Sequence, residues 1–245
     1  MTKEEMAARM DEITLDLDDT FQFRCDRCGN CCRDREDILL SPRDVYKLSK
    51  HLNLTPLAFF HQYCISYVGS SSRIPIVRLE AQGEHLVCPL LKGNSCSVHA
   101  AKPSVCALYP LGRYMKIDQE DFNAGSLGGA TVKYLLQDDF NCGDKTQTHT
   151  VREWLAGFDV AVEDEAFIAW NEALAMFSPR IKELETKLSP LSKALLWESM
   201  KVGLYLNYRT DQEFMPQFRE NIKGFKNLLD RTDEALEEAQ NGEKT

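Results

Sequence analysis

The stretch CDRCGNCC, residues 25–32, places four thiols in eight positions and constrains this chain more than any other feature. Five more cysteines follow, at 64, 88, 96, 106 and 142, and none lies beyond them. Nine is an odd number, and the acidic start MTKEEMAARMDEITLDLDDT lacks the basic and apolar regions of a signal peptide, so a disulfide framework is disfavoured. The expected location is therefore cytoplasmic. Clustered thiols in a reducing compartment point to metal, because thiolates are soft, anionic donors for zinc and iron–sulfur clusters.

Spacing leaves the identity of the metal open. Cys25, Cys28 and Cys31 form Cys-x2-Cys-x2-Cys, the local spacing of bacterial ferredoxin runs. Those runs end in Cys-Pro, which Cys88–Pro89 supplies here from a distance. Gly29 directly follows Cys28, as in a zinc knuckle, and structural zinc takes four ligands in a tetrahedron. Cys31 and Cys32 are adjacent, so their side chains are expected to diverge and do different jobs. A disulfide between them would close a strained ring.

Composition removes several function classes. Hydrophobic residues make up 43% of the 245, enough for a real core. No apolar run approaches the roughly 20 residues of a membrane helix, so no membrane role is expected. The formal charge of −9 sits at the ends: residues 1–20 carry a net −5 and residues 230–245 a net −4. The balanced remainder leaves no electrostatic footprint for nucleic acid.

The fold class expected is α+β, with a small cysteine-rich metal-binding half of short strands and helices followed by an all-helical half. Residues 1–20 read as an acidic helix, over 3–13, and a linker. Residues 21–149 read as the cysteine-cluster domain, 150–230 as a helical region and 231–245 as an acidic, fraying tail. Ser41–Pro42 and Thr55–Pro56 signal helix starts, and this helix pair is expected to pack rather than read DNA. Residues 74–91 read as a hairpin about a Gln-Gly turn. Residues 99–106 read as a short helical turn, and 111–117 and 132–137 as strands joined by a glycine-rich loop. Among the later helices, a break is expected near Ser178–Pro179, and Pro216 is awkward in its segment.

CDRCGNCC, then CPLL, then CSVHAAKPSVCALYP resemble the CxxCxxCC family, also called the YkgJ-type cysteine cluster family, over about residues 23–145. Cys96, Pro103, Cys106 and Pro110 match its later pattern, whereas His99, Lys102 and Ala107 replace a tyrosine and two arginines. Cys142, with Gly143 beside it, fits a late cysteine of the family. The resemblance implies a zinc- or iron-chelating domain whose metal residues are Cys25, Cys28, Cys31, Cys32, Cys88, Cys96, Cys106 and Cys142. Eight thiols exceed the needs of one zinc or one cluster, and the resemblance favours an iron–sulfur cluster, with zinc as the alternative. It also implies a protein substrate or partner, since flagellin lysine N-methylase-like proteins belong to the family. No S-adenosylmethionine motif stands out to support methylation. The alternative is a non-catalytic zinc-stabilised interaction module or a metal carrier.

Cys64 lies outside the pattern and reads as a small buried hydrophobe on a helix. Arg24, Arg27, Arg33 and Arg35 surround the octet and can offset an anionic site, or pair with Asp26, Asp34 and Glu36. His85 and His99 stand three residues from a cysteine and read as neighbours rather than ligands. The glycine-rich GSLGGA, residues 125–130, matches no nucleotide fingerprint. Trp154, Trp170 and Trp197 read as core.

Overall fold

The computed structural model describes residues 12–116, 130–137 and 142–242. The helix expected over 3–13 and the loop GSLGGA fall almost wholly outside them. The described residues form two compact units, one from Met1–Ile38 and Ala81–Glu165, the other from Leu39–Glu80 and Ala166–Thr245. Short strands early and long helices late make the chain α+β. Each unit is built from two separate segments. Leu39–Glu80, placed with the cysteines by the sequence, groups with the C-terminal helices.

In the first unit the strand Thr20–Arg24 buries Phe21 and Phe23 and exposes Thr20, Gln22 and Arg24, the alternation of a half-buried strand. Each buried Phe contributes about 1.5–3 kcal/mol. Asp144–Thr150 pairs with it antiparallel, from Asp144 opposite Arg24 to Thr150 opposite Thr20. Thr150 then caps the helix Val151–Gly157 in a reciprocal box with Glu153. That helix adds Val151 and Leu155 to a core of Phe21, Phe23, Leu108, Leu111, Tyr134 and Cys142. Thr131–Leu136 lies between Leu111–Lys116 and Thr14–Leu15 in an antiparallel sheet. A buried ion pair, Arg113 Nη1 to Asp164 Oδ2 at 3.0 Å, closes this unit.

The hairpin expected over 74–91 does not form. Its first half, Pro75–Leu79, pairs with Cys64–Val68 and Leu39–Leu40, and only a single bridge, Gln82 to Val87, spans the Gly83 turn. The first half is a strand, with Pro75, Val77 and Leu79 buried, but it serves a partner earlier in the chain.

In the second unit Ser41 and Asp44 form a capping box for the helix Pro42–His51, and Thr55 caps Pro56–Tyr63. Val45, Leu48 and Phe59 are fully enclosed, so this pair packs as expected. The break expected at Ser178–Pro179 is absent: one helix runs from Glu165 to Lys187 with Pro179 inside it. An interior proline costs about 3 kcal/mol. Phe177, Ile181 and Leu184 are buried along one face, with the Phe177 ring 4.9 Å from Phe225, and that burial outweighs the loss. Pro216 stands in the first turn of the helix Phe214–Gly242, where a missing N–H leaves nothing unpaired. The fraying expected after Asp230 is also absent as far as Gly242. Arg180 holds Asp230 at 2.8 Å and Asp233 at 2.6 Å, which ties the start of that segment to the neighbouring helix.

Candidate metal centre

Two close backbone approaches place the octet. Gly29 adopts φ +79, and a Cβ there would lie 2.9 Å from the Asn94 carbonyl oxygen. The octet turn therefore seats directly on the turn of the small hairpin Leu91–Lys92 and Ser95–Cys96. Arg33 fastens the same contact, donating to Gly93 O and Asn94 Oδ1, both at 3.2 Å. The left-handed Gly29 opens a one-turn helix, Asn30–Cys32, that carries the adjacent cysteines. Cys88 N–H donates to Cys32 O at 2.8 Å, which draws Cys88–Pro89 against the octet.

Gly143 does the same for the late cysteine. It has φ +73, and a Cβ there would collide with the Arg24 carbonyl oxygen and lie 2.7 Å from the Phe23 ring. Only glycine fits between that ring and the neighbouring strand, and Cys142 is delivered beside the octet as a result.

The thiols then meet as a chain. Tyr109 neighbours Cys142, Cys142 neighbours Cys31, Cys31 neighbours Cys32 and Cys32 neighbours Cys88, and in the Cys31–Cys32 contact either sulfur can donate. Cys96 and Cys106 lie within electrostatic range of Cys32 and Cys88. The Cys31 and Cys32 sulfurs are 3.9 Å apart. The divergence expected of adjacent cysteines is thus not observed, because the tight turn brings both side chains together. Two thiolates on one tetrahedral zinc, at 2.3 Å each, would be about 3.8 Å apart.

The thiol titrations follow from this chain. The Cys142 contact lowers Cys31, but its contact with Cys32 and burial outweigh that and push it up to about 11. The Cys31 contact likewise lowers Cys32, and its contact with Cys88, with burial, carries it up to about 11. Burial takes the Cys106 sulfur up to about 12, against the pull of Arg35. Cys142 is raised by its contact with Cys31. Cys88, at the end of the chain of thiols, is lowered by the Cys32 thiol. Cys28 is raised by burial and by its Asp26 neighbour.

Of the four arginines, Arg35 is the one that bears on the inner thiols. Its Nη1 donates to Cys31 O at 3.4 Å, its Nε to Asp37 at 2.6 Å, and it lies in electrostatic range of Cys106 and Cys31. Arg24 pairs with Asp144 across the strands rather than with Asp26 alone. His85 is exposed, with its Nδ1 3.8 Å from Asp34, and the His99 ring lies 6.4 Å from Phe158. Cys64 is buried in the other unit, at the junction of Pro56–Tyr63 with Cys64–Val68, and burial raises its thiol. Tyr109, which follows Cys106 closely and could from the sequence line the metal site or simply form core, lies beside Cys142.

Among the described residues, no group of three His, Cys, Asp or Glu side chains is arranged to hold a metal ion. The sulfurs run as a hydrogen-bonded chain, and metal binding requires some of them to turn toward one point. Holding a side chain about 30° off its rotamer costs about 0.5–1.5 kcal/mol, whereas structural zinc supplies about 10–16 kcal/mol in small domains. Turning four thiols is therefore a minor cost, and this soft, gathered donor set fits zinc or iron.

Nothing among curated proteins or solved structures matches the chain. A family model does match residues 24–125, and its description is "Putative zinc- or iron-chelating domain". That span carries seven of the eight cysteines predicted as ligands, with Cys142 beyond it. The cysteine-rich segment of this chain thus matches the CxxCxxCC family model.

Proposed function

We propose that this protein binds metal through Cys31, Cys32, Cys88, Cys96, Cys106 and Cys142, and that the resident group is an iron–sulfur cluster. The observation that carries the reading is that close backbone contacts bring the cysteine segments together: Gly29 seats on Asn94, Gly143 on Arg24 and Phe23, Cys88 N–H donates to Cys32 O at 2.8 Å, and the Cys31 and Cys32 sulfurs lie 3.9 Å apart. Six donors exceed a single zinc tetrahedron. Thiolate-ligated clusters are anionic, and Arg35 beside Cys31 and Cys106 offsets that charge. Such a cluster would supply electron-transfer or Lewis-acid chemistry. The protein's own residues supply the rest: Tyr109 orients Cys142, Cys88 N–H ties its segment to Cys32, and Arg35 lowers the cost of gathered thiolates.

The 3.9 Å spacing of Cys31 and Cys32 supports a second reading, a zinc-stabilised module, because it matches one edge of a zinc tetrahedron. Purification without oxygen separates the two. A brown protein with iron and acid-labile sulfide supports the cluster; a colourless protein with stoichiometric zinc replaces it with the second reading. The lysine-modifying role implied by the resemblance gains no support from the described site, and the proposal stops at metal binding.

A further inference from the structure

Residues 85–116 hold no Asp or Glu, although the chain as a whole carries a net −9. They do hold Lys92, His99 and Lys102, which stand among the cysteine segments of the first unit. His99 opens a one-turn 3₁₀ helix, His99–Ala101, that Lys102 closes. Residues three apart on such a turn share a face. Both side chains meet one ring: Phe158 lies 5.4 Å from Lys102 Nζ, as a cation–π contact, and 6.4 Å from the His99 ring. The Phe158 ring in turn lies 5.3 Å from Trp154, which packs on the same core as Cys28 and Cys31. The octet brings two more cations to this region. Arg33 holds the turn that follows Lys92, through Gly93 O and Asn94 Oδ1, and Arg27 stands two residues before Gly29, which seats on Asn94. Burial, Lys102 and Arg27 together hold the His99 imidazole below its ordinary value. Arg27, Lys92 and His99 are exposed, and Arg33, Lys102 and Phe158 are half-buried. Among the described residues none of these five cations forms an ion pair with a carboxylate. Asp26, the sequence neighbour of Arg27, is turned to the Cys28 N–H at 3.2 Å.

We propose that the face of Arg27, Arg33, Lys92, His99 and Lys102 around Phe158 docks an acidic protein, one presenting a cluster of Asp and Glu side chains, and so seats that partner against the metal-binding cysteines. The inference rests on the reading that the six inner thiols bind metal. Charge complementarity selects the partner. Cations gathered without carboxylates repel one another, and carboxylates supplied from outside relieve that repulsion. The rest of the chain carries the net negative charge and turns an acidic partner away, which confines the encounter to this face. Phe158 supplies the apolar contact that a docking surface keeps inside its polar rim, and Arg27 and Arg33 supply forked donors that match carboxylates. Nucleic acid fits less well. A duplex presents one phosphate charge per about 1.7 Å of its axis, and a few cations on a chain of net −9 do not answer a charge of that length.

The test uses fluorescein-labelled poly-L-glutamate as the probe, read by fluorescence anisotropy with the full chain as purified with its metal. The wild type is expected to bind it, more weakly as salt rises. Lys92→Glu/Lys102→Glu is expected to weaken binding about tenfold or more. Lys223→Glu/Lys226→Glu, two exposed positions on the helix Phe214–Gly242 of the other unit, is expected to bind as the wild type does. No binding by the wild type, an unchanged affinity in Lys92→Glu/Lys102→Glu, or an equal loss in both variants overturns the inference. Tighter binding of a DNA oligonucleotide than of poly-L-glutamate at the same salt also overturns it. A second measurement needs no variant: carbodiimide coupling of poly-L-glutamate to the wild type, mapped by mass spectrometry. Lys92 and Lys102 are expected to be the main coupled lysines, and coupling spread evenly over the surface lysines overturns the inference. Metal content separates this inference from the reading on which it rests. A metal-loaded wild type that ignores poly-L-glutamate overturns the docking alone, whereas a wild type that takes up neither zinc nor iron overturns both.

Discussion

Gly143→Ala should damage the protein far more than its size suggests. Gly143 has φ +73, and an L-residue in that left-handed region costs about 1–2 kcal/mol. The added Cβ would also meet the Arg24 carbonyl oxygen and the Phe23 ring. Phe23 is 1% exposed and packed by Trp154 and Tyr109, so it has nowhere to go, and overpacking of this kind costs about 1–3 kcal/mol more. The total is about 2–5 kcal/mol. Gly93→Ala is the control: its φ is +61, but nothing lies within 4 Å of the added Cβ, so only the conformational cost of about 1–2 kcal/mol applies. Amide hydrogen exchange in Thr20–Arg24 and Asp144–Thr150 reads the difference, at about a factor of ten per 1.4 kcal/mol. Gly143→Ala should accelerate exchange there about 30-fold or more, and it should reduce metal content by displacing Cys142. Equal exchange in the two variants would refute the argument that close approach, and not φ alone, fixes this glycine.

Three further outcomes follow from the same geometry. Zinc affinity should climb steeply with pH, because folding keeps Cys31 and Cys32 protonated up to about 11 and Cys106 up to about 12. A site using these three should gain about three decades of affinity per pH unit between about pH 6 and 8, measured by competition with a chelator, and a flat profile would exclude them as ligands. The metal-free protein should show the matching loss: these raised values stabilise the fold below the unfolded thiol value of about 8.5, and that contribution disappears as pH rises through the folded values. Arg113→Met should cost about 3–5 kcal/mol in urea unfolding, since it strands a buried Asp164; Arg113→Met/Asp164→Leu should recover part of that, and no recovery would argue against a simple buried pair. Cys64→Ala should leave metal content unchanged, and any loss would place a thiol of the other unit in the site.

The parts of this chain that its sequence made legible are those set by local chemistry. Ser41–Pro42, Thr55–Pro56 and Ser189–Pro190 each begin a helix where the cap and the proline say it should. Misreadings arose where a distant partner decided the outcome. Pro179 stays helical because Phe177, Ile181 and Leu184 are buried around it. Pro75–Leu79 chose Cys64–Val68 over the apolar run that follows it. At the site, the cysteines and their membership of one set were legible, but which sulfur meets which was not. The approach of Cys31 to Cys32 depends on a left-handed Gly29 seated against Asn94, and the bond from Tyr109 to Cys142 joins residues on opposite sides of the Thr131–Leu136 strand in sequence. Neither contact leaves a periodic or spacing signal.

The central claim is that the inner thiols bind metal as a set, and native mass spectrometry of anaerobically purified protein tests it most directly. The wild type should carry zinc or iron, with sulfide in the iron case, and Cys32→Ser/Cys88→Ser should carry less or none while Cys64→Ala matches the wild type. A wild-type chain isolated free of metal that takes up neither zinc nor iron would contradict the account.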